Sequence, residues 1–419
     1  MDRFEYRDGE LYCEEVRVED ICRDVGTPVY IYSHGTIIDH YRKLDEAFGE
    51  IDHLICFSVK SNSNLAVIRA LAKAGAGMDI VSGGELYRVL KAGVDPSKVV
   101  YASVGKSEEE IEFALQAGIM MFNVESRPEA EAINRVAGRM GVKARIAFRI
   151  NPDVDPHTHK HITTGKGGTK FGIPIDEAVE TYLWAKERLG NLIPCGVHCH
   201  IGSQITSVEP YKEALSRIVP LVSELRRNGL EIDTLNIGGG LGIVYKDETP
   251  STADEFAAAV LPYVRDLGCK LIIEPGRFIV GNAGILATKV LYIKRTPHKN
   301  FLIVDAAMND LIRPAFYDSY HRIAPVRIRT EETDIFDVVG PVCETGDYFA
   351  KDRRINLVEP GDIISIFSAG AYGFTMSSNY NSRPRAAEVM VIEDRYYIVR
   401  KRETYLDLIR GEAIPGELM

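Results

Sequence analysis

From about residue 36 to residue 277 the chain repeats one pattern: a short apolar or β-branched run, a polar loop, then an amphipathic stretch closed by glycine. The apolar runs fall at 53–59, 78–81, 99–103, 120–124, 144–150, 196–201, 235–238 and 271–274. Each is too short for a helix and continuous enough for a strand covered on both faces. Between them, Asn64 is placed to cap a helix over 65–74, with Leu65, Ile68, Leu71 and Ala72 as its apolar face and Gly75 as its stop. Ser107 with Glu110, Ser126 with Glu129 and Thr252 with Glu255 have capping-box spacing. Gly93, Gly118, Gly138, Gly190 and Gly268 stand where left-handed terminal residues are wanted, and Pro220 and Pro262 predict kinks or breaks. Eight strands alternating with helices predict an α/β fold, a (β/α)8 TIM-type barrel with its chemistry at the C-terminal strand ends. A doubly wound parallel sheet is the architectural alternative.

Beyond Arg277 the pattern changes to alternating or β-branched runs at 287–293, 301–304, 335–339, 363–366, 388–392 and 395–399, with a helical stretch only at 403–410. This predicts a β-rich, sandwich- or barrel-like C-terminal domain. The strand-like stretch 27–32 is expected to join it, giving a barrel of 36–277 and a second domain of 1–35 with 278–419.

Composition narrows the function classes. The 45% apolar and 26% charged content is that of a globular protein, and 419 residues call for more than one core. A net charge of −10 argues against nucleic acid or an anionic membrane as partner. The first residues hold no signal-like apolar run, and no segment has the length of a membrane span. Seven cysteines with no C-x-x-C pair fit a reduced cytoplasmic chain better than a disulfide framework.

The chemistry-bearing residues cluster at the predicted strand ends. Lys60 closes the first strand, where its amine can form a Schiff base with a carbonyl, although a lysine at a strand end is by default a solvated surface group. His198 and His200 lie two apart on the sixth strand, hence on one face. They suit either a metal or a flat ring on which one of them stacks, and no matching further metal ligands stand at other strand ends. His157, His159 and His161 read as a solvated loop. Gly238, Gly239 and Gly240 after the seventh strand suit an anion, since phosphate sites of such barrels lie after strands seven and eight. Glu274 ends the eighth strand, where a carboxylate can stabilise a protonated pyridine nitrogen, and Arg277 can fork onto a carboxylate. Taken alone, each of these two is better explained by an ordinary salt bridge. In the second domain Cys343 is a candidate proton donor or an inert core thiol.

Taken together, Phe57-Ser-Val-Lys60-Ser-Asn62, Asp79-Ile-Val-Ser-Gly-Gly-Glu85, Asn151-Pro-Asp-Val-Asp155, Lys170-Phe-Gly172, His198-Cys-His-Ile-Gly-Ser203, Glu274-Pro-Gly-Arg277, Arg313-Pro-Ala-Phe-Tyr317, Cys343-Glu344 and the stretch from Tyr372 to Tyr380 resemble the diaminopimelate decarboxylases. These are fold-type III pyridoxal 5′-phosphate (PLP) enzymes, and the resemblance runs over nearly the whole chain. Phe316 and Thr163 depart from it, outside the proposed chemistry. The resemblance implies decarboxylation of meso-diaminopimelate to L-lysine. It implies that Lys60 carries PLP and His200 stacks on its ring. Ser203, Gly238, Gly239, Gly240, Gly276 and Arg277 would hold the phosphate, and Glu274 the ring nitrogen, with Asp79 and Glu85 behind. Arg277, Arg313 and Tyr317 would bind the substrate's far carboxylate, Glu344 its far ammonium, and Tyr372 both cofactor and substrate. Cys343 would protonate Cα. It also implies a homodimer with shared sites, Cys343 and Glu344 coming from the partner. The alternatives are a sister decarboxylase for carboxynorspermidine, arginine, ornithine or a carrier-bound amino acid, a PLP-binding barrel without turnover, and a metal hydrolase.

Overall fold

The computed structural model describes residues 2–155 and 170–419. His157, His159, His161 and Thr163 lie outside the described residues. The chain divides into two compact units, Ile37–Ile279 and Met1–Thr36 with Val280–Met419.

The first unit is built on β1 (His53–Ser58), β2 (Gly77–Ile80), β3 (Val99–Tyr101), β4 (Met121–Val124), β5 (Ala144–Asn151), β6 (Leu192–His198), β7 (Thr234–Asn236) and β8 (Lys270–Ile273). Each pairs in parallel with the next, and β8 pairs with β1, so the sheet closes. Closure excludes the doubly wound alternative, whose sheet stays open. Runs such as Met121-Phe-Asn-Val124 are buried throughout because helices cover the outer face while side chains fill the barrel.

The helices follow their sequence signals with instructive exceptions. In α1 (Leu65–Ala74) Asn64 accepts the Ala66 N–H at 2.9 Å, and Gly75, at φ +114°, closes the helix. Its buried face is Val67, Ile68 and Leu71, whereas Leu65 is 40% exposed. Residues two apart on a helix stand about 200° apart around it, so Leu65 cannot share the stripe centred on Val67. The full capping boxes form at Ser107 and Thr252. At Ser126 the hydroxyl caps, but Glu129 reaches past it to the Glu125 N–H. Gly138 lies inside the helix Arg127–Met140, and Gly141 takes the left-handed position. Gly190 is not left-handed, because the helix Ala178–Arg188 ends at Leu189. Pro220 and Pro262 break nothing: the helices Glu209–Arg227 and Ala253–Val264 run through them. Both prolines are on the exposed side, where water can take the carbonyl that loses its donor.

The strand ends also shift. β1 stops at Ser58 and Lys60 sits in the 3-10 turn Val59–Ser61; β6 stops at His198, leaving His200 in the loop beyond it. Backbone turned out of the ladder frees both side chains to point over the barrel end rather than along it.

The second unit contains β9 (Gly284–Arg295), β10 (Asn300–Val304), β11 (Ile323–Pro325), β12 (Thr333–Val339), β13 (Tyr348–Asn356), β14 (Ile363–Ile366), β15 (Ala387–Ile392) and β16 (Arg395–Arg400). The N-terminal strand Val29–Ser33 is inserted between β9, antiparallel, and β15, parallel. Its five residues are all buried, which is why the chain's beginning belongs to this sheet. β13 (Tyr-Phe-Ala-Lys-Asp-Arg-Arg-Ile-Asn) escapes a sequence reading because its middle is charged; it is recruited by pairing with β12. The three-residue β11 and the meander Phe4–Arg7, Glu10–Cys13 and Val16–Arg17 escape it because they are short. The expected helix at 403–410 is one turn, Tyr405–Leu408.

One buried tyrosine holds an irregularity in the barrel. β5 and β6 slip register between Pro194 and Gly196, and the Tyr182 hydroxyl there accepts from Phe148 N at 3.2 Å and donates to Gly196 O at 2.6 Å. Tyr182→Phe would leave a buried N–H and a buried carbonyl unmatched, at a cost of about 1–3 kcal/mol. We expect a clear drop in the urea unfolding midpoint with an unchanged circular dichroism spectrum. A midpoint equal to wild type would show that the bulge needs no bridge.

Candidate active site

The C-terminal barrel mouth collects charges that the interior must satisfy. Lys60 Nζ lies 2.7 Å from Oδ2 of Asp79, a β2 residue with no exposed surface. Ser58 Oγ donates to the same oxygen at 2.7 Å. Asp79 Oδ1 is buried with no hydrogen-bond partner among the described residues. Burial and the nearby Glu274 push the Asp79 carboxyl above its ordinary range, with Lys60 pulling the other way. Glu85, in the first turn of the helix Gly83–Lys91, accepts the Val81 N–H at 2.8 Å, and burial pushes its carboxyl up to about 7.

Glu274 is held differently. Its Oε1 accepts from Asn123 Nδ2 of β4 at 3.0 Å and Asn236 Nδ2 of β7 at 2.7 Å, and its Oε2 faces His198 Nε2 of β6 at 3.3 Å. Burial works against the charge, but His198, Lys60 and the Asn236 amide outweigh it and hold the carboxyl below the usual range. Asn123 and Asn236 were not among the sequence candidates, although an asparagine inside an otherwise apolar strand was a readable signal.

The two histidines serve different partners. His198 is buried against Glu274, whereas His200 is half-buried and its Nδ1 accepts the Gly239 N–H at 3.1 Å. That bond needs a bare Nδ1, so the imidazole is neutral and carries its proton on Nε2. Burial, then Arg149 and Lys60, hold its pKa well below the ordinary value, which makes the ring neutral. Of the pair, His200 is the flat uncharged ring left beside the glycine turn.

The turn itself requires glycine. A Cβ on Gly239 would stand 2.0 Å from Glu274 O, and Gly240, at φ +111°, would meet Gly202 O at 2.6 Å. The Gly238 N–H is taken by Asn236 Oδ1 at 2.9 Å and the Gly239 N–H by His200. These two glycines therefore shape the turn with their own N–H groups engaged inside the protein. Beside it, Ser203 Oγ accepts from Arg277 Nη2 at 3.1 Å, and Arg277 Nη1 donates to Tyr245 OH at 2.5 Å. Gly276 lets the backbone pass Ser61, whose Oγ would be 3.0 Å from an added Cβ.

Beneath the mouth run two buried ion pairs that sequence reading missed. Lys106 Nζ, fully buried, bonds Glu129 Oε1 at 2.6 Å and Asn123 O at 2.8 Å. Arg149 Nη1 bonds Glu125 Oε1 at 2.9 Å, and its Nη2 lies 3.4 Å from His200 O. They brace the backbones of a Glu274 ligand and of the stacking candidate. Lone lysines and arginines in a sequence do not announce such burial.

In the β-rich unit the expected residues form two groups. Arg313 is buried, with its guanidinium 5.8 Å from the centre of the Tyr317 ring, while Phe316 points outward, 59% exposed. Cys343 and Glu344 are exposed on one loop. Asp347 ties that loop down, accepting from Met308 N and Val342 N, both at 2.7 Å. Asn381 Oδ1 accepts the Cys343 N–H at 3.0 Å, and Glu344 accepts from Tyr380 OH at 2.8 Å. Tyr372 is half-buried in a left-handed conformation, φ +56°.

The residues present fit PLP. An amine beside a carboxylate, a carboxylate kept ionised for a pyridine nitrogen, a neutral ring and a turn where any Cβ would collide are the donors such a cofactor needs. Residues 34–281 match the family described as pyridoxal-dependent decarboxylase, pyridoxal binding domain. Diaminopimelate decarboxylase of Vibrio cholerae is 52% identical over 421 residues, covering 100% of both chains. Among solved structures, diaminopimelate decarboxylase from M. jannaschii superposes with a TM-score of 0.95 at 38% identity, over 100% of this chain and 99% of that one. The Helicobacter pylori enzyme, solved with L-lysine, gives 0.90 at 42% identity, over 94% of this chain and 98% of that one. Similarity of this extent, from one end of the chain to the other, makes it a member of the diaminopimelate decarboxylase family of pyridoxal-dependent decarboxylases.

Proposed function

We propose that this protein removes one carboxylate of meso-diaminopimelate as CO2 and releases L-lysine, with PLP as cofactor. The observation that carries the chemistry is Glu274, kept ionised by Asn123, Asn236 and His198 in the same barrel mouth as the Lys60 amine. End-to-end similarity to diaminopimelate decarboxylases supports the substrate.

When bound, PLP supplies an electron sink for the charge left at Cα as CO2 departs. Lys60 holds it through its amine, and Asp79 keeps that amine in place. Glu274 keeps a proton on the ring nitrogen, which is the reason its own charge must survive burial. His200 stacks on the ring without adding charge. Ser203, Gly240, Gly276 and Arg277 hold the phosphate, on the turn shaped by Gly238 and Gly239. Glu85, further back, supports Asp79.

The substrate carries an amino acid at each end, so recognition of the far end needs both signs of charge. Arg277, Arg313 and Tyr317 take the far carboxylate and Glu344 the far ammonium. Tyr372 touches cofactor and substrate, and the Cys343 thiol delivers the proton to Cα. We place the active form as a homodimer in which Cys343 and Glu344 complete the partner's site. Their exposure on a loop tied down by Asp347 suits residues offered to another chain. We place it in the cytoplasm, which all seven cysteines being free supports. Among the described residues no helix is long and apolar enough to cross a membrane.

CO2 release from meso-diaminopimelate should require PLP; folded, PLP-loaded protein that releases none would refute the substrate. Lys60→Ala should abolish turnover and the near-visible absorbance of the lysine-bound cofactor, and a retained band would remove Lys60 from that role. Cys343→Ala should keep the band and lose about 10²–10⁴ in kcat. Mixing the two inactive variants with subunit exchange should restore about a quarter of wild-type sites, since a hybrid dimer holds one intact site. No restoration on exchange would place Cys343 in its own chain's site.

A further inference from the structure

Arg313 is buried at 6% exposure, and its surroundings decide which way its guanidinium faces. A completely buried histidine, His321, stands against it. Its Nδ1 lies 2.8 Å from the carbonyl oxygen of Phe367, which follows β14, and Arg313 Nε points at its Nε2 from 3.4 Å. A carbonyl only accepts and a guanidinium only donates, so the two contacts together allow one state of the ring. Nδ1 carries the proton, Nε2 is bare and the imidazole is neutral. An imidazolium would set N–H against N–H and cation against cation.

The backbone on both sides of the ring is anchored. The Phe367 N–H donates to Arg322 O at 2.8 Å, and Arg353 Nη1 donates to the His321 carbonyl at 2.6 Å. On the same edge of the guanidinium, Arg313 Nη2 donates to Ser319 Oγ at 3.3 Å. A guanidinium is planar, so fixing the Nε–Nη2 edge fixes the plane of the whole fork. A carboxylate bound end-on, across Nη1 and Nη2, needs that plane set before it arrives.

We propose that His321 is a positioning residue for substrate recognition: it orients Arg313 toward the far carboxylate of the substrate. The inference rests on the reading of Arg313 as a ligand of that carboxylate. Loss of CO2 at the other end leaves the far carboxylate in place, so L-lysine carries the group that Arg313 holds. Product binding then reports on the same contact without any turnover.

The test uses the PLP-loaded enzyme with His321→Leu, His321→Gln and Arg313→Ala. It compares kcat and KM for meso-diaminopimelate with the Kd for L-lysine measured by titration. Removing an acceptor from a buried charged donor predicts that His321→Leu raises KM and the L-lysine Kd about tenfold or more. Its kcat should stay within about threefold, and the cofactor band should be unchanged. Glutamine keeps an oxygen acceptor near the Nε2 position, so His321→Gln should recover most of the affinity. His321→Leu with KM and Kd within about twofold of wild type would overturn the proposal. So would equal defects in the leucine and glutamine variants, or a joint fall of kcat and the cofactor band, which mark a merely structural histidine. If Arg313→Ala leaves both KM and Kd unchanged, the reading of Arg313 fails and takes the proposal with it. If Arg313→Ala weakens both while His321→Leu does not, the positioning role alone fails.

Discussion

An ionised carboxylate inside a barrel is the constraint around which the mouth of this protein is arranged. Taking a carboxylate out of water costs several kcal/mol unless its oxygens find donors. Glu274 finds them on three separate strands: Asn123 of β4, His198 of β6 and Asn236 of β7. Asn236 sits on the adjoining strand, but Asn123, on the opposite side of the ring, reaches it only because the sheet curls closed, so barrel closure and the charge of Glu274 depend on one another. The dependence extends outward. Lys106 holds the backbone carbonyl of Asn123, and Asn236 uses its other amide atom to fix the Gly238 N–H, so the clamp on the carboxylate also shapes the glycine turn.

Two carboxylates share this mouth and are pushed in opposite directions. Glu274 has three side-chain donors and is held below the usual range. Asp79 has Ser58 and Lys60 on one oxygen and, among the described residues, no partner on the other, and burial wins, raising it. Both are fully enclosed, so donor count and the distribution of neighbouring charge, rather than depth, separate them. On the proposed reading, separated carboxylates let Glu274 stay charged for a ring nitrogen while Asp79 accepts from the Lys60 amine, a division that two equivalent acids could not maintain.

The barrel was legible because its strands are apolar runs punctuated by caps and glycines, signals that depend on neighbours in sequence. All eight strands lie where those runs predict, within a few residues at each end. What could not be read is what depends on neighbours in space. Leu65 looked like core from its spacing to Ile68, yet it faces outward on a helix whose buried residues are Val67, Ile68 and Leu71. Lys60 and His200 were expected on strands and lie beyond them, because the hydrogen-bonded ladder ends where the backbone must turn over the mouth. Asn123, Lys106, Arg149 and His321 are polar residues whose importance comes entirely from burial. In a sequence they resemble the many exposed residues of the same types. The family resemblance proposed groups to touch cofactor and substrate, with Asp79 and Glu85 behind them, but it did not point to Asn123, Lys106, Arg149 or His321.

On the proposed reading, the same logic of burial decides which substrates are refused. Arg313 is buried, so a substrate bringing only an ammonium to the far end sets one cation against another with little water between them. A site built around a charged partner discriminates against an analogue lacking it by far more than a mismatch of one methylene would. Glu344 already accepts a hydrogen bond from Tyr380, so its carboxylate keeps a donor when no ammonium arrives. Selection between diaminopimelate and a simple diamine precursor therefore falls on the carboxylate side of the far end. That assigns discrimination to Arg313 and its neutral, fixed histidine, and leaves Glu344 to orient the ligand rather than to exclude its rivals.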